Sequence, residues 1–471
     1  MININKTIGV KMNHNCQIFT PSYIAREMLD LINYTEDILE KYVLDNSCGD
    51  GSLLSEVVRR YITKALKCKK TKKQISKDLF TYILGIEIDP IYVEECKKKL
   101  TQTAKEYGIN NSNWNIVCSD GLKHDFNMKF DFIVGNPPYI AYAMLNYEER
   151  QYVKENFESC SYGKFDYSYA FVEKCLKLLN DDGKMVFITP SNMYKTQFGK
   201  ELRKLMLPYI TQIIDYSFEK VFKKVLTSPA ITVFDKDITP NIIYKLKLYD
   251  NQTEVNITKD ELKDKWYFFK NESKGKKRFG DYFKVSNSIA TLCNKVYIID
   301  DSTVENYNIE PLALKDAISP KSQKYNKKEY IIFPYKYDDN NLQKYDEEEY
   351  KKLFPNAYKY LLENKEKLEK TNKDTSAKWF EFGRSQALGH LNQQKLLIST
   401  IATNKIVVYD LDQDQIPYSG LYIVPTKELG LDVAKDILNK KSTMKYLQAS
   451  GIVLSGNSIR ISTKDIENLR F

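Results

Sequence analysis

The sequence has three histidines and no Cys-x-x-Cys spacing among its eight cysteines. A zinc site or a histidine acid–base centre needs such groupings, so we expect no structural metal and no other metal site. The cysteines stand singly in apolar or strand-like runs, which indicates reduced thiols and not the disulfide framework of a secreted domain. A cytoplasmic location is therefore the expectation.

Long apolar runs are also missing. No stretch reaches the roughly 18 apolar residues that a membrane span needs, and the N-terminus shows no apolar signal region. No nuclease motif stands out, so we expect no fused endonuclease. The formal net charge is +9, with the excess weighted to the residues after 240. That balance suits a polyanion such as DNA, although a basic excess often serves solubility alone.

The length of 471 residues exceeds one comfortable core, so more than one domain is expected. Residues 1–240 alternate apolar, strand-like runs with amphipathic runs, a pattern typical of βαβ units and a largely parallel sheet. Residues 241–280 are polar and lysine-rich, which we interpret as a linker or an edge segment. Residues 281–471 mix short strands with helical runs, which predicts a second domain of mixed α+β structure.

One stretch organises the first domain. An apolar strand over residues 130–135 leads directly into Asn-Pro-Pro-Tyr at residues 136–139. The two prolines stiffen the turn and remove two backbone donors, so nearby carbonyls stay free to accept hydrogen bonds. Open α/β sheets bind ligands at the carboxyl ends of their strands, which makes this turn a candidate site. Alone, the stretch is equally compatible with a simple proline-rich turn.

A glycine-bearing turn follows the strand near residues 42–45 and precedes a helix that begins near Ser52. Gly49 and Gly51 allow the backbone to approach a ligand closely at a helix N-terminus. The spacing is not Gly-x-Gly-x-x-Gly and no phosphate-binding lysine follows. A nucleoside site is therefore favoured over a pyrophosphate site, with a purely structural turn as the alternative.

Carboxylates follow two further strands. The strand over residues 82–88 carries Glu87 and Asp89 at its end, where a ribose diol is commonly held in such sheets. Glu87 is the first candidate for that role and Asp89 the second. Asp120 follows the strand over residues 115–118, in a position to accept a hydrogen bond from an adenine amino group.

Two segments flank these motifs. Phe19-Thr20-Pro21 precedes an amphipathic run from Ser22 to Ile32, and Thr20 is predicted to cap that helix with Pro21 in its first turn. Residues 140–166 are polar and rich in tyrosine. They are predicted to form a loop that follows the active-site turn and contacts DNA.

In this order, the motifs resemble those of the AdoMet-dependent amino-group DNA methyltransferases, and within them the γ class of TaqI-type adenine-N6 enzymes. The resemblance is specific from residue 17 to about 235 and weaker beyond. One departure is Asn46, where the family usually has proline. Asp45, Cys48, Gly49 and Gly51 are kept, so we expect an altered turn and an intact site.

The resemblance implies an α/β fold: a Rossmann-like AdoMet methyltransferase sheet with helices on both faces, followed by a target-recognition domain. S-adenosyl-L-methionine (AdoMet) is the implied cofactor. Phe171 has the alternative of simply packing its helix against the sheet. The implied cofactor-binding residues are Phe19, Thr20, Asp45, Cys48, Gly49, Gly51, Glu87, Asp89, Asp120, Pro138 and Phe171.

The implied catalytic residues are Asn136, Pro137 and Tyr139. Asn136 Oδ1 and the Pro137 carbonyl would each accept one amino hydrogen of the target adenine, so that its nitrogen lone pair faces the methyl group. The base must leave the duplex to reach the site. Tyr139 would then stack on one face and, by resemblance, Phe222 on the other. Phe222 is equally compatible with a core aromatic in a β-hairpin.

Double-stranded DNA is the implied partner. If the enzyme belongs to a restriction–modification system, a separate cognate restriction endonuclease is a further partner. If it is an orphan methyltransferase, it has no partner nuclease. Candidate DNA contacts are Arg384 and Gln386 in a glycine turn, and Lys276 and Lys277 in a basic run. Their alternatives are a structural arginine and a solvated linker.

Two alternatives to adenine-N6 methylation remain: cytosine-N4 methylation, and a catalytically idle subunit that only binds DNA. RNA and protein-glutamine methyltransferases share the motif but usually carry an extra N-terminal module. Cytosine-C5 methylation is disfavoured, because it needs a nucleophilic cysteine, typically in a Pro-Cys pair that this sequence lacks.

Overall fold

The computed structural model describes residues 18–110, 112–219, 221–222, 228–248, 251–268, 275–338, 341–454 and 458–471. These residues form two compact units. The first holds the described residues up to 268 together with residues 453–454, and the second holds the remainder. Within the predicted 241–280 segment, residues 249–250 and 269–274 lie outside the described residues.

The first unit is built on a nine-stranded sheet in the order β3-β2-β1-β4-β5-β7-β6-β8-β9. Strands β3, β2, β1, β4 and β5 run parallel, β7 is antiparallel to both β5 and β6, β8 is parallel to β6, and β9 is antiparallel to β8. The strands are β1 (Val43–Asp45), β2 (Ile83–Glu87), β3 (Asn115–Cys118), β4 (Phe130–Gly135), β5 (Leu179–Pro190), β6 (Ile210–Asp215), β7 (Pro229–Asp235), β8 (Asn241–Leu248) and β9 (Asn251–Thr258).

Helices cover both faces of this sheet. One apolar core joins it to α1 through α4, and a second core joins it to α5 through α7. The predicted α/β sheet with helices on both faces is therefore confirmed. The helices are α1 (Ser22–Leu31), α2 (Ser52–Lys67), α3 (Lys72–Tyr82), α4 (Pro90–Lys105), α5 (Tyr147–Asn156), α6 (Ser168–Leu178) and α7 (Lys200–Met206).

The parallel register brings the predicted motifs to one edge. Asp45, the last residue of β1, lies opposite Gly85 of β2 and Val134 of β4. Glu87 ends β2 opposite Cys118, the last residue of β3. Because parallel strands end on the same side of a sheet, the turns that follow β1, β2, β3 and β4 meet there.

Residues 241–248 and 251–258 form β8 and β9 at the edge of the sheet, so this part of the 241–280 segment fits the second of its two interpretations, an edge segment. Two other predictions need correction. Residues 140–166 contain α5, whose N-terminus has an Asn146–Glu149 capping box, and are not a plain loop. Thr20 does not cap α1: the cap position is Pro21 and no side chain bonds it.

The second unit is a mixed α+β structure with two four-stranded sheets, ordered β10-β20-β16-β18 and β11-β13-β12-β19. Most of its strands are short. They are β10 (Phe283–Asn287), β11 (Ile298–Ile299), β12 (Leu314–Ile318), β13 (Tyr330–Ile332), β14 (Tyr335–Asp338), β15 (Asn341–Lys344), β16 (Lys395–Ile398), β17 (Ile401–Ala402), β18 (Val408–Leu411), β19 (Ile416–Pro417), β20 (Leu421–Pro425) and β22 (Ile459–Arg460). The remaining strand, β21 (Ile452–Val453), has its first residue in this unit and its second in the first unit.

Helices of the second unit pack against these sheets through two apolar cores. The charged run over residues 345–370 holds three helices, α11, α12 and α13, and Pro355 is the first residue of α12. The helices are α8 (Asn294–Tyr297), α9 (Asp301–Tyr307), α10 (Pro320–Lys324), α11 (Glu347–Leu353), α12 (Pro355–Glu363), α13 (Lys365–Glu369), α14 (Leu431–Asn439), α15 (Lys441–Ser450) and α16 (Thr463–Glu467).

Candidate active site

A cleft opens where the turns after β1, β2, β3 and β4 meet, with about 700 Å³ of empty space when the solvent at its mouth is included. Most of the residues that line it come from these turns, and the others from the segment before α1 and from α6 with the residue before it. The lining residues are Ile18, Phe19, Asn46, Ser47, Gly49, Ile86, Glu87, Ile88, Ser119, Asp120, Gly121, Asn136, Pro137, Pro138, Tyr139, Tyr167 and Phe171.

The turn after β1 is held close to the first turn of α2 and to Cys96 of α4. Gly51 caps α2 with a φ of 77°, a left-handed conformation that favours glycine. A Cβ at this position would lie 2.6 Å from the Cys96 sulfur on α4. A side chain at residue 51 would therefore push α4 away from the turn and disturb the edge of the cleft.

Glu87 is tied into the glycine turn by its carboxylate. Oε2 accepts the backbone N–H of Gly49 at 2.9 Å, and Oε1 accepts that of Asp89 at 2.9 Å. Burial raises the pKa of Glu87, while these two backbone donors oppose the shift. Each oxygen keeps a lone pair, so the carboxylate can still accept hydrogen bonds from a diol in the cleft.

Asp45 lies beneath the same turn. It is buried, and its Oδ1 accepts the backbone N–H of Ser47 at 3.2 Å. Burial, reinforced by the neighbouring Glu87, raises the pKa of Asp45 to about 7. Asp45 does not line the cleft. It stabilises the turn after β1 through its hydrogen bond with the backbone N–H of Ser47.

Asp120, Gly121, Phe171 and Tyr167 line one part of the cleft together. Asp120 Oδ1 accepts the backbone N–H of Leu122, which holds the side chain in place. The Phe171 and Tyr167 rings pack edge to face with centroids 5.6 Å apart. A carboxylate acceptor beside aromatic faces can take an amino-bearing flat ring.

Asn136 has a fixed amide orientation. Its Nδ2 donates to the Ile18 carbonyl at 2.8 Å and to Thr20 Oγ1 at 3.2 Å, which uses both amide hydrogens. Its Oδ1 has no hydrogen-bond partner among the described residues. A buried carbonyl oxygen without a donor is costly, and a donor supplied by a substrate would satisfy it.

The rest of the Asn-Pro-Pro-Tyr turn is equally constrained. Pro137 and Pro138 line the cleft beside Asn136. The Tyr139 hydroxyl donates to the Ile188 carbonyl at 2.9 Å and anchors the ring. Burial, together with the Asp166 carboxylate, raises the pKa of Tyr139 well above its usual value, so the ring stays neutral.

Several predicted residues do not line the cleft. Thr20 bonds Asn136 instead, and Asp89 caps α4 through the backbone N–H of Ile91. Phe222 is buried in the apolar core beneath the sheet. This arrangement does not support a base-stacking role for Phe222, whose ring has core neighbours. The predicted cofactor residues outside the lining are Thr20, Asp45, Cys48, Gly51 and Asp89.

The sequence prediction missed several lining residues, of which Asn46 is the most unusual. It is 1% exposed, and its Oδ1 and Nδ2 have no nitrogen or oxygen partner among the described residues. Its neighbours include the Cys175 thiol, whose pKa is raised by burial. A Cβ at Gly121 would lie 2.9 Å from Asn46 Oδ1, so only glycine leaves space for this side chain. The sequence did offer one signal for this residue, because asparagine stands at position 46 where the resembled family usually has proline.

The candidate DNA contacts of the second unit differ in environment. Arg384 Nη1 donates to the carbonyls of Asn372 and Gly383 and to Asp374 Oδ1, so this arginine holds its own turn together. Gln386 is exposed. Lys276 and Lys277 are also exposed, and Lys277 Nζ lies 5.4 Å from the centre of the Tyr282 ring.

Within the described part of the chain, no group of three or more histidine, cysteine, aspartate or glutamate side chains is placed to hold a metal ion. The described helices are all too short or too polar to cross a membrane.

The chain is similar in sequence to known restriction-modification methyltransferases. Residues 53–222 match the family model described as Eco57I restriction-modification methylase. Over 96% of its length the chain is 24% identical to Type II methyltransferase M.BstVI of Geobacillus stearothermophilus, and covers 89% of that protein. It is 26% identical over 82% of its length to RM.Eco57I of Escherichia coli, a Type II restriction enzyme and methyltransferase, of which it spans only 49%.

A solved structure shares the fold. The Type IIL restriction-modification enzyme MmeI, determined in complex with DNA, superposes with a TM-score of 0.63 at 15% identity. The match covers 95% of this chain and 65% of the MmeI chain. The family match covers the cleft-forming strands from β2 to β4 and the Asn-Pro-Pro-Tyr turn. Over residues 53–222 this chain is therefore similar to the Eco57I restriction-modification methylases.

Proposed function

We propose that this chain is a site-specific DNA adenine-N6 methyltransferase that takes its methyl group from AdoMet. The observation that carries the proposal is the Asn136 amide, which lines the cleft with both hydrogens used and its Oδ1 unpartnered. An exocyclic amino group has two hydrogens to donate. Asn136 Oδ1 and the Pro137 carbonyl are two adjacent acceptors for it.

These acceptors address the chemical difficulty of the reaction. The lone pair of an adenine amino nitrogen is delocalised into the ring, which makes the nitrogen a poor nucleophile. Two acceptors that each bind one hydrogen favour a pyramidal nitrogen whose lone pair points away from the ring. Fixed dipoles of this kind stabilise the charge that develops during transfer without needing to reorganise.

AdoMet, when bound, supplies a methyl group already activated on a sulfonium. Glu87 and Asp120 would hold the cofactor, its sulfonium would give up the methyl group to the amino nitrogen, and the extra amino proton would pass to water. The contribution of the chain is to place the nitrogen in line with the methyl carbon. No covalent intermediate and no strongly basic side chain is needed.

The cleft offers groups suited to the ribose and the adenine of AdoMet. Glu87 can accept the ribose hydroxyls, since both of its oxygens are already held by backbone donors and retain lone pairs. Asp120 can accept the adenine amino group beside the Phe171 ring. Phe19 and Gly49 line the same cleft, and a Cβ at Gly49 would lie 3.4 Å from the Phe19 ring.

The target base must be extruded from the duplex, because its amino group is out of reach inside the stack. Tyr139 provides the stacking surface, with its ring oriented by the hydroxyl bond to the Ile188 carbonyl. The second unit is proposed to read the DNA, in keeping with its exposed Gln386, Lys276 and Lys277 and with the DNA-bound state of the MmeI structure.

The central test is the Asn136→Ala variant. We expect it to lose methyl transfer to DNA while binding AdoMet with unchanged affinity in calorimetry, because Nδ2 bonds protein groups and Oδ1 faces the substrate. Thr81→Ala is the control, since its hydroxyl donates to the Lys77 carbonyl on the exposed surface of α3, outside the segments predicted to contact DNA. Undiminished transfer by Asn136→Ala would refute the mechanism.

The target base needs a separate test. Long-read sequencing of DNA from a methylation-free host that expresses the chain should show N6-methyladenine within one recurrent sequence. N4-methylcytosine would instead indicate the cytosine-N4 alternative, which uses the same two acceptors. No modified base, together with no AdoMet binding in calorimetry, would indicate an idle DNA-binding subunit.

A further inference from the structure

Thr20 occupies an unexpected place in the site. It was expected to cap α1, but Pro21 is the cap position, and Thr20 is absent from the cleft lining although Ile18 and Phe19 belong to it. Thr20 is buried, and Oγ1 accepts a hydrogen bond from Asn136 Nδ2 at 3.2 Å.

We propose that Thr20 is a positioning residue, which sets the orientation of the Asn136 amide through Oγ1. This inference rests on the proposed function, because it assigns a role to Thr20 in presenting the acceptor of that reaction. The contact joins residues 116 positions apart, and so ties the segment before α1 to the turn after β4.

The two partners of Nδ2 have different roles. The Ile18 carbonyl can only accept, so it requires the NH₂ group to face it and excludes the flipped amide. A single hydrogen bond still lets the amide plane pivot about that contact. The Thr20 hydroxyl is the second anchor and fixes the plane, which aims Oδ1 in one direction.

That direction matters because Oδ1 has no partner of its own among the described residues. The two hydrogen bonds of Nδ2 therefore hold the acceptor oxygen in the place where an amino hydrogen must meet it. Reaction rates are sensitive to such placement, and a misplacement of about 1 Å can cost on the order of 100-fold. Loss of Oγ1 should therefore lower the rate of transfer without removing any group that touches the cofactor.

The test compares Thr20→Val with Thr20→Ser in the full chain. Valine keeps the shape and removes the acceptor, whereas serine keeps the acceptor. The measurements are the single-turnover rate of methyl transfer with saturating AdoMet and DNA, and the Kd for AdoMet from calorimetry. Thr20→Val should lower the rate roughly 10- to 100-fold and leave Kd within about twofold, and Thr20→Ser should restore most of the rate.

Phe19→Ala is the matched control for cofactor contact, since Phe19 is the adjacent residue and lines the cleft. It should raise the Kd for AdoMet, which Thr20→Val should not. Thermal unfolding of each variant separates loss of fold from loss of rate, and Thr20→Ser keeps the comparison valid if Thr20→Val is unstable.

Three results would overturn the proposal. A raised Kd for AdoMet with an unchanged rate in Thr20→Val would make Thr20 a cofactor contact. Equal loss of rate in Thr20→Val and Thr20→Ser would show that the hydroxyl is not the reason. Wild-type protein that binds AdoMet and DNA but methylates no base would refute the proposed function itself, and the role of Thr20 with it.

Discussion

The backbone N–H of Gly49 donates to Glu87 Oε2 at 2.9 Å and joins the turn after β1 to the end of β2. The other oxygen of the same carboxylate accepts the backbone N–H of Asp89. Glu87 thus lines the cleft and also, through this hydrogen bond, fixes the conformation of the turn beside it. Substitution of this residue should affect stability and cofactor binding together.

We expect Glu87→Gln to lower both the free energy of unfolding and the affinity for AdoMet. The glutamine NH₂ would face one of the two backbone N–H groups and leave it unsatisfied, at a cost of about 1–3 kcal/mol. Urea denaturation and calorimetry would measure the two effects. Asp89→Asn is the control, because asparagine also caps helices and Asp89 does not line the cleft. An equal loss of AdoMet affinity in Asp89→Asn would contradict the assignment.

Asp45 should make stability depend on pH. Its pKa is raised from 3.8 to about 7, mainly by burial, so the folded state holds this proton more tightly than the unfolded chain does. The stabilising contribution is present below about pH 4 and is lost as pH rises through about 7. Its upper limit is roughly 4 kcal/mol by the usual conversion.

The measurement is the free energy of unfolding at pH 5 and pH 8 for the wild type and Asp45→Asn. Asparagine keeps an acceptor for the Ser47 N–H but has no carboxyl to titrate, so the variant should lose less stability between the two pH values. Burial also raises the pKa of Glu87, which leaves a remaining slope of the same sign in the variant. Parallel pH profiles of the two proteins would exclude Asp45 as the source.

Asn46 should limit the stability of the unliganded protein. Its amide is buried without a nitrogen or oxygen partner in the described structure, and replacing such a group by an apolar one of similar size removes a desolvation penalty of about 1–3 kcal/mol. We expect Asn46→Leu to raise the melting temperature of the unliganded protein and to reduce the further rise on adding AdoMet. Differential scanning calorimetry would measure both. An unchanged response to AdoMet would assign Asn46 a purely structural role.

The sequence predicted the sheet and the common edge of its motifs because both follow from local patterns. Strand-ending turns after residues 45, 87, 118 and 135 imply one edge once the strands are parallel. Strand β8 also follows a local pattern, because apolar side chains alternate between its two faces: Ile242, Tyr244 and Leu246 are buried while Ile243 is exposed. The lysine-rich composition of the segment hid this alternation in the sequence.

Contacts between distant segments were not predictable in the same way. The Thr20–Asn136 bond depends on how the chain before α1 passes the end of β4, and no spacing in the sequence encodes that path. Local cues favoured Thr20 as a helix cap, because a threonine before Pro-Ser is a common helix start. Burial of Phe222 is likewise a property of the packed core, which an isolated aromatic residue in the sequence does not reveal.

In the second unit, Arg384 and Gln386 should behave in opposite ways. Arg384 Nη1 bonds two carbonyls and Asp374, so Arg384→Ala should lower the free energy of unfolding by about 1–3 kcal/mol. Gln386 is exposed. If it reads a base edge, as proposed, Gln386→Ala should leave stability unchanged and relax sequence discrimination at one position by about 1–3 kcal/mol.

Fluorescence anisotropy with DNA duplexes at several salt concentrations separates this role from phosphate contact. Gln386→Ala should keep the salt dependence of the wild type, because a neutral side chain releases no counterions. Lys276→Ala is the comparison: if Lys276 contacts a phosphate, its loss should weaken all sequences alike and reduce the logarithmic salt slope by about 1. Wild-type selectivity in Gln386→Ala, measured against duplexes with single base changes across the methylated sequence, would remove Gln386 from the base-reading surface.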